Sequence, residues 1–258
     1  MCCMSKDPVK AATRTLDLFE AFVEARRPLT LTELAQRIAV PISSCHALVK
    51  TLQDRGYVFV MEGRKRIYPT KRLMVLAAAL AQHDLVLERL SPVIRQLARK
   101  TGETVILGKK QGDNVVYLDV VEGNHTVRFT ASPGDVWRSH SSAIGKSILS
   151  LLPDAELDRV LRRMSLTRVT DATMTDAAAL KADIIASRKR GYFVSRSENI
   201  ADVMGLASPH RLGEELYAIG IAGPIARFDE NRESYVASLR DAARAVSGLD
   251  VGAIGGAS

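Results

Sequence analysis

The chain has 258 residues, of which 47% are apolar and 25% charged, so it is long enough for one large or two modest domains, each with a core. Its longest unbroken apolar run, at 73–81, is less than half the roughly 20 residues that a membrane-spanning helix needs, and no basic stretch leads into an apolar one at the N-terminus. The three cysteines, at positions 2, 3 and 45, give neither a disulfide framework nor a C-x-x-C pair for zinc, and these features together argue against disordered, secreted and membrane classes and predict a cytoplasmic protein.

The net charge of +7 is unevenly distributed along the chain. Residues 1–100 contain 17 Lys or Arg against 9 Asp or Glu, a net of +8, whereas residues 101–258 contain 19 against 20, a net of −1. A basic N-terminal part on a neutral remainder is typical of a module that binds a polyanion, joined to a module with another role. Solvated Lys and Arg side chains on helix faces would give the same count, so the charge alone does not decide.

The first 70 residues follow the pattern of a winged helix-turn-helix. Apolar residues at three- and four-residue spacing predict a first and a third helix. Thr30 and Glu33 form a capping box, which predicts that a short second helix begins between them. Two β-prone runs around a basic turn predict a hairpin, the wing of the motif. These helices and strands are predicted at 9–25, 30–38, 42–55, 57–60 and 66–68.

The rest of the chain mixes helices and strands. An Ala/Leu-rich helix is predicted first, and Ser91-Pro92 predicts the start of a second helix that ends near Gly102, because proline is favoured at the first helical position. The strands and helices that follow favour an antiparallel sheet packed with helices, so the fold class is α+β. The predicted helices lie at 71–82, 92–102, 141–151, 154–163, 176–190 and 230–248, and the strands at 104–109, 114–121, 126–130, 192–196, 204–209 and 216–222.

The third helix carries the predicted DNA-reading residues. If Cys45, Val49 and Leu52 face the core, the polar residues between them face solvent in the half of the helix that enters the major groove in helix-turn-helix proteins. Each residue alone is more readily explained as an ordinary exposed polar side chain, whereas the set together favours DNA binding. The candidates are Thr32, Ser43, Ser44, His46, Lys50, Arg64, Lys65 and Arg66.

Motifs in both halves resemble the isocitrate lyase regulator (IclR) family of bacterial transcription factors. The motifs are Leu-Thr-Glu-Leu-Ala at 31–35, Pro-Ile-Ser-Ser at 41–44, His46, Leu48, Thr-Leu at 51–52, Gly-Tyr-Val at 56–58, Gly-Glu-Thr-Val-Ile-Leu at 102–107, His-Ser-Ser-Ala-Ile-Gly-Lys at 140–146, Gly-Tyr at 191–192, Glu198 and the run 219–224. The resemblance implies a winged-helix domain over 1–70, a dimerising helical linker over 71–102, and a GAF-like domain over 103–258 that binds a small, often carboxylated, effector. Two departures are Ala47, where the family commonly has Arg, and Pro69-Thr70, where it has Leu-Gly.

The resemblance also implies an effector pocket. Its candidate residues are Trp137, His140, Ser141, Ser142, Ala143, Ile144, Gly145, Ser195, Gly205, Gly220 and Ala222. The family often has serines where Gly220 and Ala222 stand, so a roomier and less polar floor is expected, suited to a larger, partly apolar acid such as an aromatic one. Backbone N–H groups where a helix begins near Ser141 would receive its carboxylate, with Arg138 and Arg196 as candidate anchors. If both arginines point to solvent, a neutral aromatic ligand is preferred.

Catalytic and metal-binding alternatives have weaker support in the sequence. A phosphate-binding P-loop needs glycine five residues before Gly145, where His140 stands. No G-x-S-x-G elbow accompanies Ser141, and the five histidines show no metal-ligand spacing. We therefore expect no catalytic residue, metal or cofactor.

The predicted protein is a homodimer, with a dimer of dimers left open, that binds a near-palindromic operator in double-stranded DNA and responds to a small organic acid. A repressor of a catabolic operon is favoured over an activator. An enzyme with an accessory DNA-binding domain and a nucleoid-type binder without an effector are the alternatives from other classes.

Overall fold

The computed structural model describes residues 9–61, 63, 65–81 and 85–248. The chain forms two compact units, 1–83 and 84–258. No helix in the described ranges is long and apolar enough to cross a membrane.

The first unit is a winged helix-turn-helix. Its three strands form a small antiparallel sheet in the order β1-β3-β2, in which Leu29 pairs with Ile67 and Val58 with Pro69. The elements are α1 (Lys10–Ala25), β1 (Leu29–Thr30), α2 (Leu31–Arg37), α3 (Ile42–Asp54), β2 (Val58–Met61), β3 (Arg66–Pro69) and α4 (Arg72–Ala81).

Local chemistry explains where α2 and α3 begin and how α3 is oriented. The predicted capping box is confirmed, because the Glu33 amide donates to Thr30 Oγ1 at 3.2 Å and the Thr30 amide donates to Glu33 Oε2 at 2.7 Å. Proline at 41 precedes α3, which buries Cys45, Val49 and Leu52 at three- and four-residue spacing. The opposite side of α3 is therefore turned to solvent.

The second unit is a six-stranded antiparallel sheet covered by helices. Its strand order is β6-β5-β4-β9-β8-β7. The elements are α5 (Leu85–Thr101), β4 (Thr104–Gln111), β5 (Asn114–Val121), β6 (Val136–Arg138), a 3-10 turn (Ser139–Ser141), α6 (Ala143–Leu149), α7 (Asp154–Arg163), α8 (Ala177–Arg190), β7 (Phe193–Arg196), β8 (Val203–Leu212), β9 (Glu215–Pro224) and α9 (Ile225–Ser247).

Alternate residues of the central strands serve two different cores. Val105 and Leu107 pack with α5 and α9 on one face, where Leu90, Ile94, Phe228 and Leu239 are buried. On the other face, α6 places Ile144 and Ile148 beside Ile106, Ala218 and Ala222. The residues on this second face are small at several positions, which allows α6 to lie close to the sheet.

Three sequence predictions in this unit are wrong. Residues 126–130 form no strand, and the outer strand paired with β5 is β6. Helix α5 begins at Leu85 and contains Pro92, while the Ser91 hydroxyl donates to Asp119 Oδ2 at 2.8 Å instead of capping a helix. Helix α9 begins at Ile225, directly after Pro224, rather than near residue 230.

Candidate DNA-binding face and effector pocket

Helix α3 presents a polar, solvent-facing surface between Ser43 and Lys50. Ser43, His46 and Lys50 are exposed and Ser44 is half-buried, while Thr32 is exposed at the start of α2. The Lys50 ammonium lies 4.0 Å from Asp54 Oδ2 and both side chains are mostly in solvent, so this pair leaves Lys50 available to another anion.

Sequence analysis missed one residue on this face. Ile42, the first residue of α3, is 54% exposed, although it is a large apolar side chain. Ile42 does not belong to the buried residues that define the core side of α3. A large apolar residue outside that set was the signal by which the sequence could have revealed this position. An apolar side chain at this place is suited to contact a thymine methyl group.

The wing residues differ in how freely they project. Lys65 is exposed in the turn with φ of 46°, whereas the Arg66 guanidinium donates to the Pro28 carbonyl at 3.0 Å and lies 3.8 Å from Glu33 Oε2. Arg66 thus ties the wing to the start of α2. The predicted contact residue Arg64 lies outside the described residues.

The second unit contains a cleft between α6 and the sheet, with about 450 Å³ of empty space including its open mouth. Seven of the eleven predicted effector residues line it: Ser142, Ala143, Ile144, Ser195, Gly205, Gly220 and Ala222. Sequence analysis missed the other lining residues, which are Ile106, Tyr117, Phe129, Asn199, Ile200, Val203, Leu206 and Ile221. Strand alternation could have found Ile106 and Tyr117, but nothing in the sequence places the loop residues at the cleft.

The four remaining predicted residues, Trp137, His140, Ser141 and Gly145, do not line the cleft. Burial lowers the pKa of His140, and its Nε2 lies 3.0 Å from the Thr167 carbonyl. The Ser141 hydroxyl donates to Asn199 Oδ1 at 3.0 Å, so it positions a lining residue. Gly145 lies against the Ser139 backbone, where the structure has no room for a Cβ atom.

The rings of Tyr117 and Phe129 form one wall of the cleft, and Trp137 packs against both without lining it. Trp137 stacks on Tyr117 with ring centres 6.2 Å apart and contacts Phe129 at 6.4 Å. The Trp137 Nε1 atom is buried and has no hydrogen-bond partner among the described residues. Burial, assisted by the Asp135 carboxylate, raises the pKa of Tyr117, so its phenol stays protonated and can donate a hydrogen bond.

The lining residues include no charged side chain. Arg196, a candidate anchor, instead donates to both carboxylate oxygens of Asp229 at 2.6 and 2.8 Å and is half exposed. The polar groups at the cleft are therefore the side chains of Tyr117, Ser142, Ser195 and Asn199, together with the backbone at the start of α6. The Ser142 hydroxyl already accepts from the Gly145 amide at 3.0 Å and donates to the Arg138 carbonyl.

The expected extra room above Gly220 does not exist. A Cβ atom on Gly220 would lie 2.6 Å from Ile144 Cγ1, because the Ile144 side chain fills that space. The prediction of a roomier floor at position 220 is therefore wrong. Ile144 is only 4% exposed and forms that part of the floor itself.

A buried ionic cluster contacts α6 through Lys146. The Lys146 ammonium, 1% exposed, donates to Glu198 Oε1 and Oε2 at 2.8 and 3.1 Å, and lies 2.9 Å from Asp183 Oδ2 without hydrogen-bond geometry. Burial raises the pKa of Glu198, and the neighbouring ammonium opposes that shift. Because Glu198 precedes Asn199, the cluster connects α6 to the loop that lines the cleft.

No group of three His, Cys, Asp or Glu side chains in the described parts of the chain is placed to hold a metal ion. Two family models match the chain. The IclR helix-turn-helix domain matches residues 11–59, and the bacterial transcriptional regulator IclR C-terminal domain matches residues 77–248.

Named relatives agree with this match. The chain is 33% identical to the HTH-type transcriptional regulator BhcR of Paracoccus denitrificans, over 93% of this chain and 86% of that protein. It is 31% identical to the transcriptional repressor IclR of Escherichia coli, over 87% and 83% of the two chains. A solved IclR homologue from Microbacterium hydrocarbonoxydans, complexed with 4-hydroxybenzoate, shares the fold with a TM-score of 0.69 at 23% identity, over 92% of this chain and 97% of that one.

The chain belongs to the IclR family of bacterial transcriptional regulators. It is a DNA-binding regulator with an N-terminal helix-turn-helix domain and a C-terminal effector domain, and it is not an enzyme.

Proposed function

We propose that the protein is a cytoplasmic, homodimeric repressor of a catabolic operon, and that its affinity for the operator changes when a small aromatic carboxylate occupies the cleft. The observation that carries this proposal is the pairing of a polar, exposed α3 in one unit with an uncharged, aromatic-walled cleft in the other. The name of the Escherichia coli relative, a repressor, supports the direction of regulation.

On DNA, α3 occupies the major groove and the wing grips the adjacent backbone. Ser43, Ser44 and His46 offer hydrogen-bonding groups to base edges and phosphates, while Lys50 and Lys65 neutralise phosphates. Thr32, Arg64 and Arg66 complete the proposed contact set.

Two exposed apolar helix faces in the first unit support a homodimer. Val9, just before α1, and Leu16 and Val23 on α1 are exposed at seven-residue spacing, on the side opposite the buried Leu18 and Phe22. On α4, every described side chain is exposed although the helix is almost entirely apolar; its large apolar residues are Leu73, Met74, Val75, Leu76 and Leu80. Exposure of such apolar faces to water is unfavourable in free energy, and the faces are suited to an isologous two-fold contact. A measurement of molecular mass distinguishes this dimer from a dimer of dimers.

In the cleft, the ligand ring would pack against Tyr117, Phe129 and the aliphatic side chains. Its carboxylate would accept hydrogen bonds from the backbone amides of Ala143 and Ile144, which have no partner within α6, and from Ser195 or Asn199. The Microbacterium complex supports an aromatic acid as a ligand class, since it holds 4-hydroxybenzoate in a protein of the same fold.

The DNA part is tested by selecting bound sequences from random duplexes and footprinting the winners. We expect a near-palindrome with half-sites about one helical turn, or a multiple of it, apart. Ser44→Ala and His46→Ala should each cost about 1–3 kcal/mol at particular base pairs, while Lys65→Ala should weaken all sequences alike. A footprint without dyad symmetry, or equal losses on every sequence for all three variants, would contradict the proposal.

The effector part is tested by thermal shift with glyoxylate, pyruvate, benzoate, 4-hydroxybenzoate and neutral phenol. A true effector at 100 times its dissociation constant stabilises the protein by about 2.7 kcal/mol. We expect the benzoates to stabilise most and to release operator DNA in a transcription assay, where the unliganded protein lowers transcript yield. Ala222→Ser, which adds a hydroxyl to the floor, should shift the preference toward the small acids. Stabilisation by glyoxylate and pyruvate alone would reject the aromatic effector, and increased transcript yield would reject a repressor.

A further inference from the structure

The side chain of Ile144 occupies a hollow made by two glycines on neighbouring strands. Gly108 on β4 and Gly220 on β9 lie on the same face of the sheet, because Gly108 pairs with Ala218 and Gly220 pairs with Ile106. A Cβ atom on Gly108 would lie 2.7 Å from Ile144 Cγ2, and one on Gly220 would lie 2.6 Å from Ile144 Cγ1. Both glycines therefore make room for Ile144, and Gly220 also lines the cleft beside that side chain.

Residues on either side of Ile144 in the sequence fix the position of its backbone. Gly145 packs directly on the Ser139 backbone, so the start of α6 cannot move toward the 3-10 turn. The Ser142 hydroxyl caps the Gly145 amide, and Lys146 is bound to Glu198 in the buried ionic cluster. An isoleucine whose backbone is fixed in this way gives the cleft a floor at a fixed depth.

We propose that Ile144 is a specificity-determining residue that sets the greatest length of the ligand between the mouth of the cleft and the sheet. This inference rests on the proposed effector function of the cleft. Removing the side-chain atoms beyond Cβ would join the hollow over Gly108 and Gly220 to the cleft, since Ile144 lines both. The added space is bounded by Ile106 and Val115, so it is apolar and accepts an alkyl group rather than a charged one.

The test compares Ile144→Ala with Ile148→Ala. Ile148 lies one turn further along α6, is equally buried and belongs to the same core, but does not line the cleft. Dissociation constants are measured by calorimetry for benzoate and its 4-methyl, 4-ethyl and 4-propyl derivatives, and for the neutral series toluene, ethylbenzene and propylbenzene. The neutral series reports on the shape of the cavity whether or not acids are bound.

We expect the wild-type protein and Ile148→Ala to lose affinity as the 4-alkyl group grows, and Ile144→Ala to bind the longer members at least about tenfold more tightly than the wild type does, the value of a methylene or more in an apolar site. Ile144→Val should lie between them. If Ile144→Ala shows the same dependence on length as the wild type in the acid series, or, where no acid binds, gains no affinity for the alkylbenzenes, the inference is overturned. Failure of all benzoates with the wild type, together with new binding of alkylbenzenes by Ile144→Ala, would reject the aromatic effector and keep the assignment of Ile144.

Gly220→Ala provides the reverse test. In the wild-type background the new methyl group would meet Ile144 Cγ1, so it should push that side chain into the cleft and weaken binding of every member of the series. In the Ile144→Ala background the same methyl group enters the vacated hollow and should shorten the longest ligand accepted. Identical effects of Gly220→Ala in both backgrounds, in a double-mutant cycle, would show that the two positions do not share the space.

Discussion

The salt dependence of operator binding gives a direct measure of the proposed DNA contact at the wing. Lys65 is exposed in the turn between β2 and β3, and Lys65→Ala removes its charge while keeping a Cβ atom, so the backbone cost of its positive φ is nearly unchanged. A dimer bound to two half-sites loses two phosphate contacts when this one residue is replaced.

The size of the effect follows from counterion release. Each neutralised phosphate contributes about −0.9 to the slope of log K against log salt, so the slope should become less steep by about 1.8. Over the fourfold range from 50 to 200 mM salt, the wild type should therefore lose about 12-fold more affinity than the variant, because 4 raised to the power 1.8 is about 12.

Fluorescence anisotropy with a labelled operator duplex at five salt concentrations measures this slope. Lys189→Ala is the matched control, since Lys189 is an exposed lysine on α8 in the effector unit. It should leave the slope at the wild-type value. An unchanged slope for Lys65→Ala, or an equal change for Lys189→Ala, would refute the assignment of the wing to the DNA backbone.

Three further predictions concern assembly and stability. Leu80→Glu places a charge on the exposed face of α4 and should weaken the dimer at least tenfold, by roughly 1.4 kcal/mol, in sedimentation equilibrium, whereas Val169→Glu, an equivalent exposed change in the effector unit, should not. Burial lowers the pKa of His210 from 6.5 to about 4, so below pH 6.5 the unfolded state binds a proton that the folded state does not, and stability falls as the pH falls. By pH 5 the free energy of unfolding, measured with urea, should be lower by about 2 kcal/mol, a loss that His210→Gln should remove. Glu103→Gln leaves the partly exposed Arg227 without its fully buried carboxylate partner and should lower the free energy of unfolding by about 2–3 kcal/mol, and a loss below about 1 kcal/mol would contradict a structural role for this pair.

Sequence reasoning worked best where the cause of an element is local. The capping box at Thr30 and Glu33 defines the start of α2 through hydrogen bonds between residues three apart, and the spacing of Cys45, Val49 and Leu52 defines the buried side of α3. Both signals lie within one or two helical turns. The exposed side of α3, and with it most of the candidate DNA face, follows from them without any knowledge of the rest of the fold.

Errors arose where distant parts of the chain decide the local structure. The segment 126–130 is β-prone, but the Phe129 carbonyl accepts a hydrogen bond from the Thr104 hydroxyl, and the edge of β5 is taken by β6. Proline at 92 predicts the start of a helix, yet the packing of Leu90 and Ile94 on the sheet holds α5 continuous through it. In each case a tertiary contact outweighs the local preference.

The pocket floor shows the same limit for function. A glycine or alanine in the floor of a cleft predicts extra space there, but the sequence does not tell whether a ligand or a neighbouring side chain fills that space. Here Ile144 fills the space over Gly108 and Gly220, while Gly205, Gly220 and Ala222 line the cleft. Ligand size therefore depends on Ile144, which is distant in sequence from both Gly108 and Gly220. These three positions have to be considered together, because a change at one alters the space available at the others.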